Sequence, residues 1–390
     1  MDELCIDYNL IDTPLIIRTD ALQSWPCFKW TINDWSEKCG ETKLSFRVHK
    51  RISNTFWETE AIDRLETQLS DYVEWTQLET NECNDRNPFK KYSKSEHWIY
   101  SSYNYMNKLF EDNQQIIHSV NWSQLGLQDD KLESTAKNST FWLGSVDAFT
   151  PCHQDSYGYN FVAQLSGKKQ WILFPPSDET FLYPTRIPYE ESSIFSSVDF
   201  HKPDYKIHPL FKQTSPHVIE LKAGEILFVP HLWWHFVRVI EEDFDKSCIS
   251  INTWIFNDCY QSSLNESIVR LLTTSLFNTY CPLQPNKWLN INADLFSPEE
   301  AIHTINLILN KMNSTIPINK TKSKILPKNS LEIKSSTFDE LRLLFDNKKQ
   351  ESIEELSNKD VNIETIVNCI LHPDVIEMIA QKLINIINNK

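Results

Sequence analysis

The chain has 390 residues, of which 41% are hydrophobic and 23% are charged, a balance that is typical of a folded globular protein. This length accommodates one large domain with an appendage. The formal net charge of -15 disfavours broad binding to nucleic acid, because phosphate backbones repel an acidic surface.

The cysteines and the first residues indicate the compartment. Nine cysteines are scattered along the chain without a C-x-x-C pair, which argues against a disulfide framework and against structural zinc. The N-terminus is acidic and lacks the basic and apolar regions of a signal peptide, and no apolar run approaches the roughly 18 residues of a membrane-spanning helix. We expect a protein of the reducing cell interior without membrane contact, cytoplasmic and with nuclear presence left open.

The first 95 residues combine short apolar runs with one helical pattern. Residues 14–17 are predicted to form a short edge strand, since proline is tolerated at a strand start. Residues 60–78 place apolar side chains at helical spacing and therefore predict a helix. The polar residues 79–96 predict a loop. Together, residues 1–95 are assigned to the N-terminal part of the main domain.

Strand signals dominate residues 96–258, the predicted domain core. The runs at residues 161–165 and 170–174 flank Ser166 and Gly167, and we predict that they pair as a hairpin. Residues 176–216 predict a long loop with local structure. Many short strands with turn signals between them favour a sandwich or a barrel. The strands are predicted at residues 98–103, 141–143, 161–165, 170–174, 225–229 and 247–255.

The C-terminal third changes to a helical period. Residues 259–312 predict two helices, at 260–277 and at 297–312, the second capped by Ser297 with Pro298 in its first turn. Residues 313–337 are rich in Lys, Ser, Thr and Asn and predict a flexible linker. Residues 338–390 predict a helical segment whose last helix begins at Pro373. The apolar face of that helix docks either on this chain or on a partner.

Three residues form a candidate metal site. His153 and Asp155 are separated by one residue, so on a strand both side chains lie on one face. His235 comes from a different strand far downstream. Two histidines and one carboxylate form the facial triad that holds non-haem iron(II) and leaves coordination positions open. A His-x-Asp triplet alone arises by chance in most chains of this length, so the assignment depends on its surroundings.

Four motifs in order give these surroundings: T-P-x-H-x-D from Thr150, G-K-K-x-W-x-L-F-P-P from Gly167, L-F-V-P-x-x-W-W-H ending at His235, and S-I-N-T-W from Ser250. Together they resemble the JmjC-type 2-oxoglutarate oxygenases, and more narrowly their asparaginyl-hydroxylase-like branch. The resemblance covers roughly residues 14–275. It implies a mainly β fold, a cupin-like double-stranded β-helix of the jelly-roll kind with flanking and C-terminal helices.

The resemblance also implies site roles. His153, Asp155 and His235 match the iron(II) ligands. Lys169 matches the lysine that binds the distal carboxylate of 2-oxoglutarate, while strand alternation sends Lys168 to the opposite face. The other cosubstrate positions that are carried over are Thr150 and Tyr100 at the distal carboxylate, with Tyr103 as the alternative tyrosine, and Asn160 and Asn252 towards the metal.

One departure leaves the position of Asn160 open. Between His153 and Phe161 this chain has one residue more than the asparaginyl-hydroxylase pattern. The metal ligands are unaffected by this insertion. Substrate choice is expected to reside in residues 176–222, where Arg186 and Tyr189 are the candidate substrate contacts.

The leading functional interpretation is an iron(II)- and 2-oxoglutarate-dependent dioxygenase that hydroxylates a protein side chain. Residues 181–195 resemble a branch of the family that is named for association with a small heat-shock protein, so an adaptor with little or no catalysis is the alternative. A hydroxylase of a modified RNA base is a second alternative, disfavoured by the acidic charge. The resemblance further implies a homodimer through the C-terminal helices, although these helices can equally pack on the barrel.

Overall fold

The computed structural model describes residues 6, 8–51, 62–79, 82–125, 127, 135–155, 158–185, 193–244, 246–255, 261–280, 297–314, 326–327, 329–346 and 363–388. The strands within these residues are β1 (Leu15–Arg18), β2 (Lys43–Lys50), β3 (Asp63–Gln68), β4 (His97–Tyr105), β5 (Ser139–Gly144), β6 (Phe149–Asp155), β7 (Tyr159–Ser166), β8 (Lys168–Phe174), β9 (Pro184–Thr185), β10 (Ser193–Ser196), β11 (His217–Lys222), β12 (Glu225–Val229), β13 (Trp234–Glu241), β14 (Ile249–Ile255) and β15 (Ser330–Glu332). The α-helices are α1 (Ile32–Cys39), α2 (Leu69–Gln77), α3 (Met106–Leu109), α4 (Gln114–Ile117), α5 (Gln261–Tyr280), α6 (Pro298–Ser314), α7 (Phe338–Asp346), α8 (Ile363–Ile370) and α9 (Pro373–Asn388).

The strands form two sheets that face each other. The larger has the order β15-β1-β12-β7-β14-β5-β4-β2-β3, and the smaller has the order β11-β8-β13-β6-β10-β9. From β5 to β8 each strand lies in the opposite sheet from the one before it, and β12 to β14 alternate in the same way. This alternation builds the predicted double-stranded β-helix, with helices flanking it.

The larger sheet uses its two faces differently. On β14, Ile249 and Ile251 point outward into a core that also contains Trp35 of α1. Burying one such side chain contributes about 1.5–3 kcal/mol, which fixes the strand against the helical layer. The alternate residues Ser250 and Asn252 point inward and line a cavity between the sheets. The polar face that the sequence shows on this strand is therefore a cavity wall.

The smaller sheet divides its side chains in the same way. On β8, Trp171 and Leu173 pack between the two sheets together with Val237 of β13. Ile172 and Phe174 point to the outer face, where a separate cluster includes Leu341 and Phe345 of α7. The C-terminal region therefore covers the outside of the sheet that carries the predicted metal ligands.

The predicted hairpin around Gly167 is wrong. β7 pairs with β12 and β14 in the larger sheet, whereas β8 pairs with β11 and β13 in the smaller one. Gly167 has φ +67 and lies where the chain crosses from one sheet to the other. A Gly between two apolar runs indicates a turn but does not say whether the two runs pair, because jelly-roll corners use the same residues.

The helix predicted over residues 60–78 is half wrong. β3 occupies Asp63–Gln68 and pairs with β2, so only Leu69–Gln77 is helical. The apolar positions of a short segment fit both periods, and pairing with a neighbouring strand overrides the helical pattern.

Two predictions concerning the outer strands are also corrected. The segment at residues 14–17 forms β1 but is not an edge strand, because it lies between β12 and β15. β15 itself, Ser330–Glu332, falls within the predicted linker 313–337. Ile333 follows directly and is buried between the sheets. A polar composition did not predict a strand that is stabilised by a partner more than 300 residues away in sequence.

The C-terminal helices pack on one another. Ile268 and Leu271 of α5 contact Ala301 and Ile305 of α6, and Val269 of α5 packs with Ala380 of α9. The last helix begins at Pro373 as predicted, and its docking on α5 favours the self-docking interpretation. No helix among the described residues is both long and apolar enough to span a membrane.

The crossing at Gly167 leads to a stability prediction. A Cβ at this position would lie 2.6 Å from the carbonyl oxygen of Glu241 and 2.9 Å from Cβ of Cys248, in addition to the strain of φ +67. We expect Gly167→Ala to lower the free energy of unfolding by about 2–4 kcal/mol, as measured by chemical denaturation. The matched control is Gly224→Ala, where φ is +90 but the nearest atom is 3.8 Å away, so only about 1–2 kcal/mol is expected. Equal losses in the two variants would contradict the crowding at Gly167.

Candidate metal centre

The three predicted ligands meet between two neighbouring strands. His153 and Asp155 lie on the same face of β6, and His235 of β13 is paired directly with His153 in the sheet. Nε2 of His153 is 3.4 Å from Oδ1 of Asp155, and Nε2 of His235 is 3.9 Å from Oδ2. One ligand atom from each residue lies within 4.8 Å of the others. The spacing suits three ligands on adjacent corners of one ion.

Backbone contacts orient both imidazoles. Nδ1 of His153 is 2.9 Å from the carbonyl oxygen of Pro151, and Nδ1 of His235 is 3.0 Å from that of Trp233. A carbonyl oxygen can only accept a hydrogen bond, so each Nδ1 carries a proton, and in the neutral imidazole Nε2 then keeps its lone pair. Metal-binding histidines are commonly held in this way.

The indole of Trp254 orients the carboxylate of Asp155. Nε1 of Trp254 donates to Oδ2 of Asp155 at 2.8 Å. This bond occupies one carboxylate oxygen and favours coordination through the other, which lies nearer to His153. Trp254 therefore belongs to the site as a residue that orients a ligand.

The ionisation states are those that a metal requires. Burial lowers the pKa of His235 to about 4, and the neighbouring His153 adds to the lowering. Burial raises the pKa of Asp155, but the two neighbouring imidazoles and the hydrogen bond from Trp254 outweigh it, so that the pKa of this carboxyl is lowered overall. At neutral pH His235 is neutral and Asp155 is ionised, as coordination demands.

Lys169 is buried in the same cavity without an acidic partner. The residue is 2% exposed, and its Nζ donates to Oγ of Ser250 at 2.7 Å. Burial lowers the pKa of Lys169 to about 8. No carboxylate of the described residues pairs with it. Lys168 points to the opposite face, where Glu241 binds it at 2.7 Å, so strand alternation separates the two lysines as expected.

One cavity joins the triad to Lys169. Every predicted metal or cosubstrate residue lines it, whereas the predicted substrate contacts Arg186 and Tyr189 lie outside the described residues. The lining consists of Tyr100, Tyr103, Trp142, Thr150, His153, Asp155, Asn160, Val162, Lys169, Trp171, His235, Val237, Ser250, Asn252 and Trp254.

Both candidate tyrosines reach the cavity. Simple alternation would place Tyr100 and Tyr103 on opposite faces of β4. The pairing of β4 with β5 is irregular between Ser101 and Asn104, and Tyr103 has φ +54. This β-bulge turns Tyr103 to the same side as Tyr100. The choice between the two therefore stays open.

Asn160 lies at the cavity despite the extra residue before it. Its Oδ1 accepts a hydrogen bond from Nδ2 of Asn252 at 2.9 Å. The insertion does not displace the first residues of β7, because Asn160 is paired with Val229 on one side and Trp254 on the other.

Three site residues were missed by the sequence analysis: Trp142, Ser250 and Trp254. Ser250 and Trp254 flank Asn252 at i−2 and i+2, so strand alternation places all three on the cavity face and could have found them. Trp142 carries no such signal, since it stands in a short apolar run on β5.

The donor set fits an iron(II) ion with a carboxylate cosubstrate. Two neutral imidazoles and one ionised carboxylate suit iron(II), and the buried ammonium of Lys169 suits an anion in the same cavity. Hydroxyl and amide groups of Thr150, Ser250 and Asn252 offer further hydrogen bonds.

Comparison with known proteins agrees with this geometry. The profile of the Cupin-like domain family matches residues 4–261. The chain belongs to the cupin-like, JmjC-type family. The matched residues account for most of the chain and include all three residues of the triad and every described strand of the two sheets except β15.

Relatives of this cupin-like chain carry two kinds of name. The chain is 38% identical to HSPB1-associated protein 1 of Rattus norvegicus over 285 residues, which are 72% of this chain and 56% of that protein. Identity to the Homo sapiens protein of the same name is 36% over 284 residues, 72% of this chain and 55% of that one. Lysine-specific demethylase 8 of Xenopus tropicalis is 26% identical over 246 residues, 62% and 49% of the two chains. The chain spans about half the length of the curated relatives it matches.

Burial of Lys169 leads to a stability prediction. Lowering its pKa from 10.5 to about 8 corresponds to about 3 kcal/mol, because one pKa unit is worth about 1.4 kcal/mol. Below pH 8 the lysine is charged in both states, so the ligand-free protein bears the full cost of burying the charge. Between pH 8 and 10.5 the unfolded chain binds more protons than the folded one, and stability rises with pH.

We therefore expect Lys169→Met to raise the free energy of unfolding at pH 7 by about 1–3 kcal/mol, the lost bond to Ser250 offsetting part of the gain. The gain should shrink as the pH rises above 8. Chemical denaturation of both proteins at several pH values, without added ligands, measures the difference. A variant that is equally stable or less stable at pH 7 would show that Lys169 is not a buried, uncompensated charge.

Proposed function

We propose that this protein is an iron(II)- and 2-oxoglutarate-dependent dioxygenase. The observation that carries the proposal is the combination, in one cavity, of the His153–Asp155–His235 triad and the buried Lys169, which contacts no carboxylate of the described residues. A structural core gains nothing from a buried ammonium without a carboxylate, since charge burial is costly unless it is paired. A dicarboxylate cosubstrate supplies the missing anion.

In this proposal the cavity has two ends with different tasks. At one end the triad holds the ion, with its imidazoles oriented by backbone carbonyls. At the other end Lys169 and Thr150 bind the distal carboxylate of 2-oxoglutarate, beside the ring of Tyr100, which lies 5.6 Å from Nζ of Lys169. Asn160 and Asn252 bind the end of the cosubstrate near the metal. The ion and 2-oxoglutarate together supply the oxidising chemistry when bound, while the protein supplies position and shielding.

Residues 176–222 include β10, which lies beside the strand that carries two of the candidate ligands. β10 pairs with β6 so that Phe195 lies opposite His153 and Ser193 opposite Asp155. The ring of Phe195 is stacked on that of His153, with centroids 5.8 Å apart. We propose that the prime substrate, a protein side chain, reaches the ion beside this segment, with Arg186 and Tyr189 as its contacts. Long segments of this kind are often functional.

A second candidate function is an adaptor for a small heat-shock protein. It is favoured by the names of the relatives at 36% and 38% identity, which are HSPB1-associated proteins. The buried lysine and the oriented triad weigh against an adaptor without catalysis, because a binding surface does not need either. The two functions are compatible if the small heat-shock protein is itself the substrate.

The binding of the two ligands can be tested separately. We expect one manganese(II), used as a stand-in for iron(II), to bind per wild-type chain and none to bind to Asp155→Ala. We expect Lys169→Ala to weaken 2-oxoglutarate binding about ten- to a hundredfold, since loss of a charge-assisted pair costs about 1.5–3 kcal/mol. Lys168→Ala is the matched control and should bind normally. Calorimetry measures all three, and a loss of affinity in Lys168→Ala alone would reverse the assignment of the two lysines.

Turnover tests the reaction and the substrate site. We expect wild-type protein with iron(II) and 2-oxoglutarate to form succinate slowly, and faster when cell lysate or purified small heat-shock protein is added. The variant with Arg186→Ala and Tyr189→Ala should keep the slow reaction but lose the stimulation. Equal stimulation would place the substrate contacts elsewhere. Absence of succinate from a wild-type protein that binds both ligands would favour the adaptor.

A further inference from the structure

A chain of hydrogen bonds crosses three neighbouring strands at the cavity. Nε1 of Trp142 on β5 donates to Oδ1 of Asn252 on β14 at 2.7 Å. Nδ2 of Asn252 donates in turn to Oδ1 of Asn160 on β7 at 2.9 Å. Asn252 and Asn160 are 2% and 5% exposed, so bulk water does not compete for these bonds.

Trp142 sets the donor-to-acceptor direction of this series of hydrogen bonds. An indole N–H can only donate, so the group of Asn252 that faces Trp142 must be its oxygen. The amide nitrogen of Asn252 then faces Asn160, which must present its own oxygen in return. The nitrogen of Asn160 is thereby turned away from Asn252. Without Trp142, either amide could rotate by half a turn with little change in shape.

The last group in this series of hydrogen bonds is a donor that has no partner among the described residues. Nδ2 of Asn160 makes no hydrogen bond to any residue that the structure describes. Asn160 lines the cavity together with the triad. Its N–H groups can therefore donate to an acceptor within the cavity, such as a carboxylate oxygen.

We infer that Trp142 is a positioning residue that, through Asn252, presents the amide N–H of Asn160 to the metal end of the cosubstrate. This inference rests on the proposed function for the identity of the acceptor, 2-oxoglutarate. The hydrogen-bond direction itself rests on the geometry alone. Trp142 also packs against Tyr103, with ring centroids 4.7 Å apart, so its ring is fixed independently of the amides.

The test removes the donor and keeps the ring. Trp142→Phe retains aromatic packing against Tyr103 but leaves Oδ1 of Asn252 without its donor. We expect the affinity for 2-oxoglutarate, measured by calorimetry with manganese(II) present, to fall about five- to tenfold, the effect of one neutral hydrogen bond. The affinity for manganese(II) alone should not change. The control is Trp75→Phe, which removes a buried indole that donates to the carbonyl oxygen of Tyr92 in the N-terminal core. Neither Trp75 nor Tyr92 lines the cavity, so this variant should bind 2-oxoglutarate normally.

A double-mutant cycle distinguishes orientation from general support of the fold. If Trp142 acts through Asn160, then Trp142→Phe has no further effect on 2-oxoglutarate affinity in an Asn160→Ala background. Additive losses, or an unchanged affinity in Trp142→Phe, would overturn the inference. Failure of the wild-type protein to bind 2-oxoglutarate would overturn the proposed function instead, so the two failures are distinct.

A second measurement does not require any variant. In a crystal structure of the wild-type protein with manganese(II) and 2-oxoglutarate, Nδ2 of Asn160 should lie within hydrogen-bond distance of a cosubstrate oxygen, and Trp142 should still donate to Asn252. A cosubstrate that makes no contact with Asn160 would contradict the inference even if Trp142→Phe does not fold.

Discussion

The site depends on the antiparallel pairing of β6 with β13. This pairing places His235 directly opposite His153, and alternation along β6 brings Asp155 to the same face. Residues that are 82 positions apart in sequence thereby become neighbours, with Nε2 of His235 3.9 Å from Asp155. Because side chains alternate with a period of two, a register shift of one residue on either strand would send a ligand to the outer face. Gly167 joins β7 of the larger sheet to β8 of the smaller one, and β8 pairs with the other side of β13.

The two faces of a strand have different roles, one in stability and the other in the candidate site. Outward side chains such as Ile251 pack under the helices and stabilise the fold, whereas inward ones such as Ser250 line the cavity. Lys169 shows what this arrangement costs, because it remains buried next to Ser250 with no carboxylate among the described residues. Proteins that carry a strained or uncompensated group at a site commonly gain stability when it is removed. Nothing in the packing of the described residues explains the charge, whereas the anionic cosubstrate that we propose would explain it.

Sequence reasoning was most successful where residues of one strand act together. The i, i+2 spacing of His153 and Asp155 predicted one shared face, and the four motifs supplied His235 and Lys169. Reasoning was least successful where the outcome depends on which strands pair. Gly167 correctly indicated a turn, but the predicted hairpin was wrong. The alternation of apolar residues identifies a strand without showing which strand it pairs with. Residues 63–68 and 330–332 were missed for the same reason, since both are held as strands by partners elsewhere in the chain.

Within the site, too, the contacts that join different strands could not be predicted from the sequence. Two hydrogen bonds join different strands: the one from Trp254 to Asp155 and the one from Trp142 to Asn252. No local sequence pattern predicts them. The bulge that turns Tyr103 toward the cavity breaks the alternation on which a prediction would rest. The candidate ligand and cosubstrate positions around the cavity were therefore predictable, while most of the residues that orient them were not.

The central claim is that one cavity binds a metal ion and 2-oxoglutarate together. Its most direct test is the thermodynamic coupling between the two ligands, obtained by titrating manganese(II) into wild-type protein with and without saturating 2-oxoglutarate. Coupling is reciprocal, so each ligand should raise the affinity of the other by the same factor, about fivefold or more, at one site per chain. Two ligands that bind independently, or a metal that does not bind at all, would contradict the account.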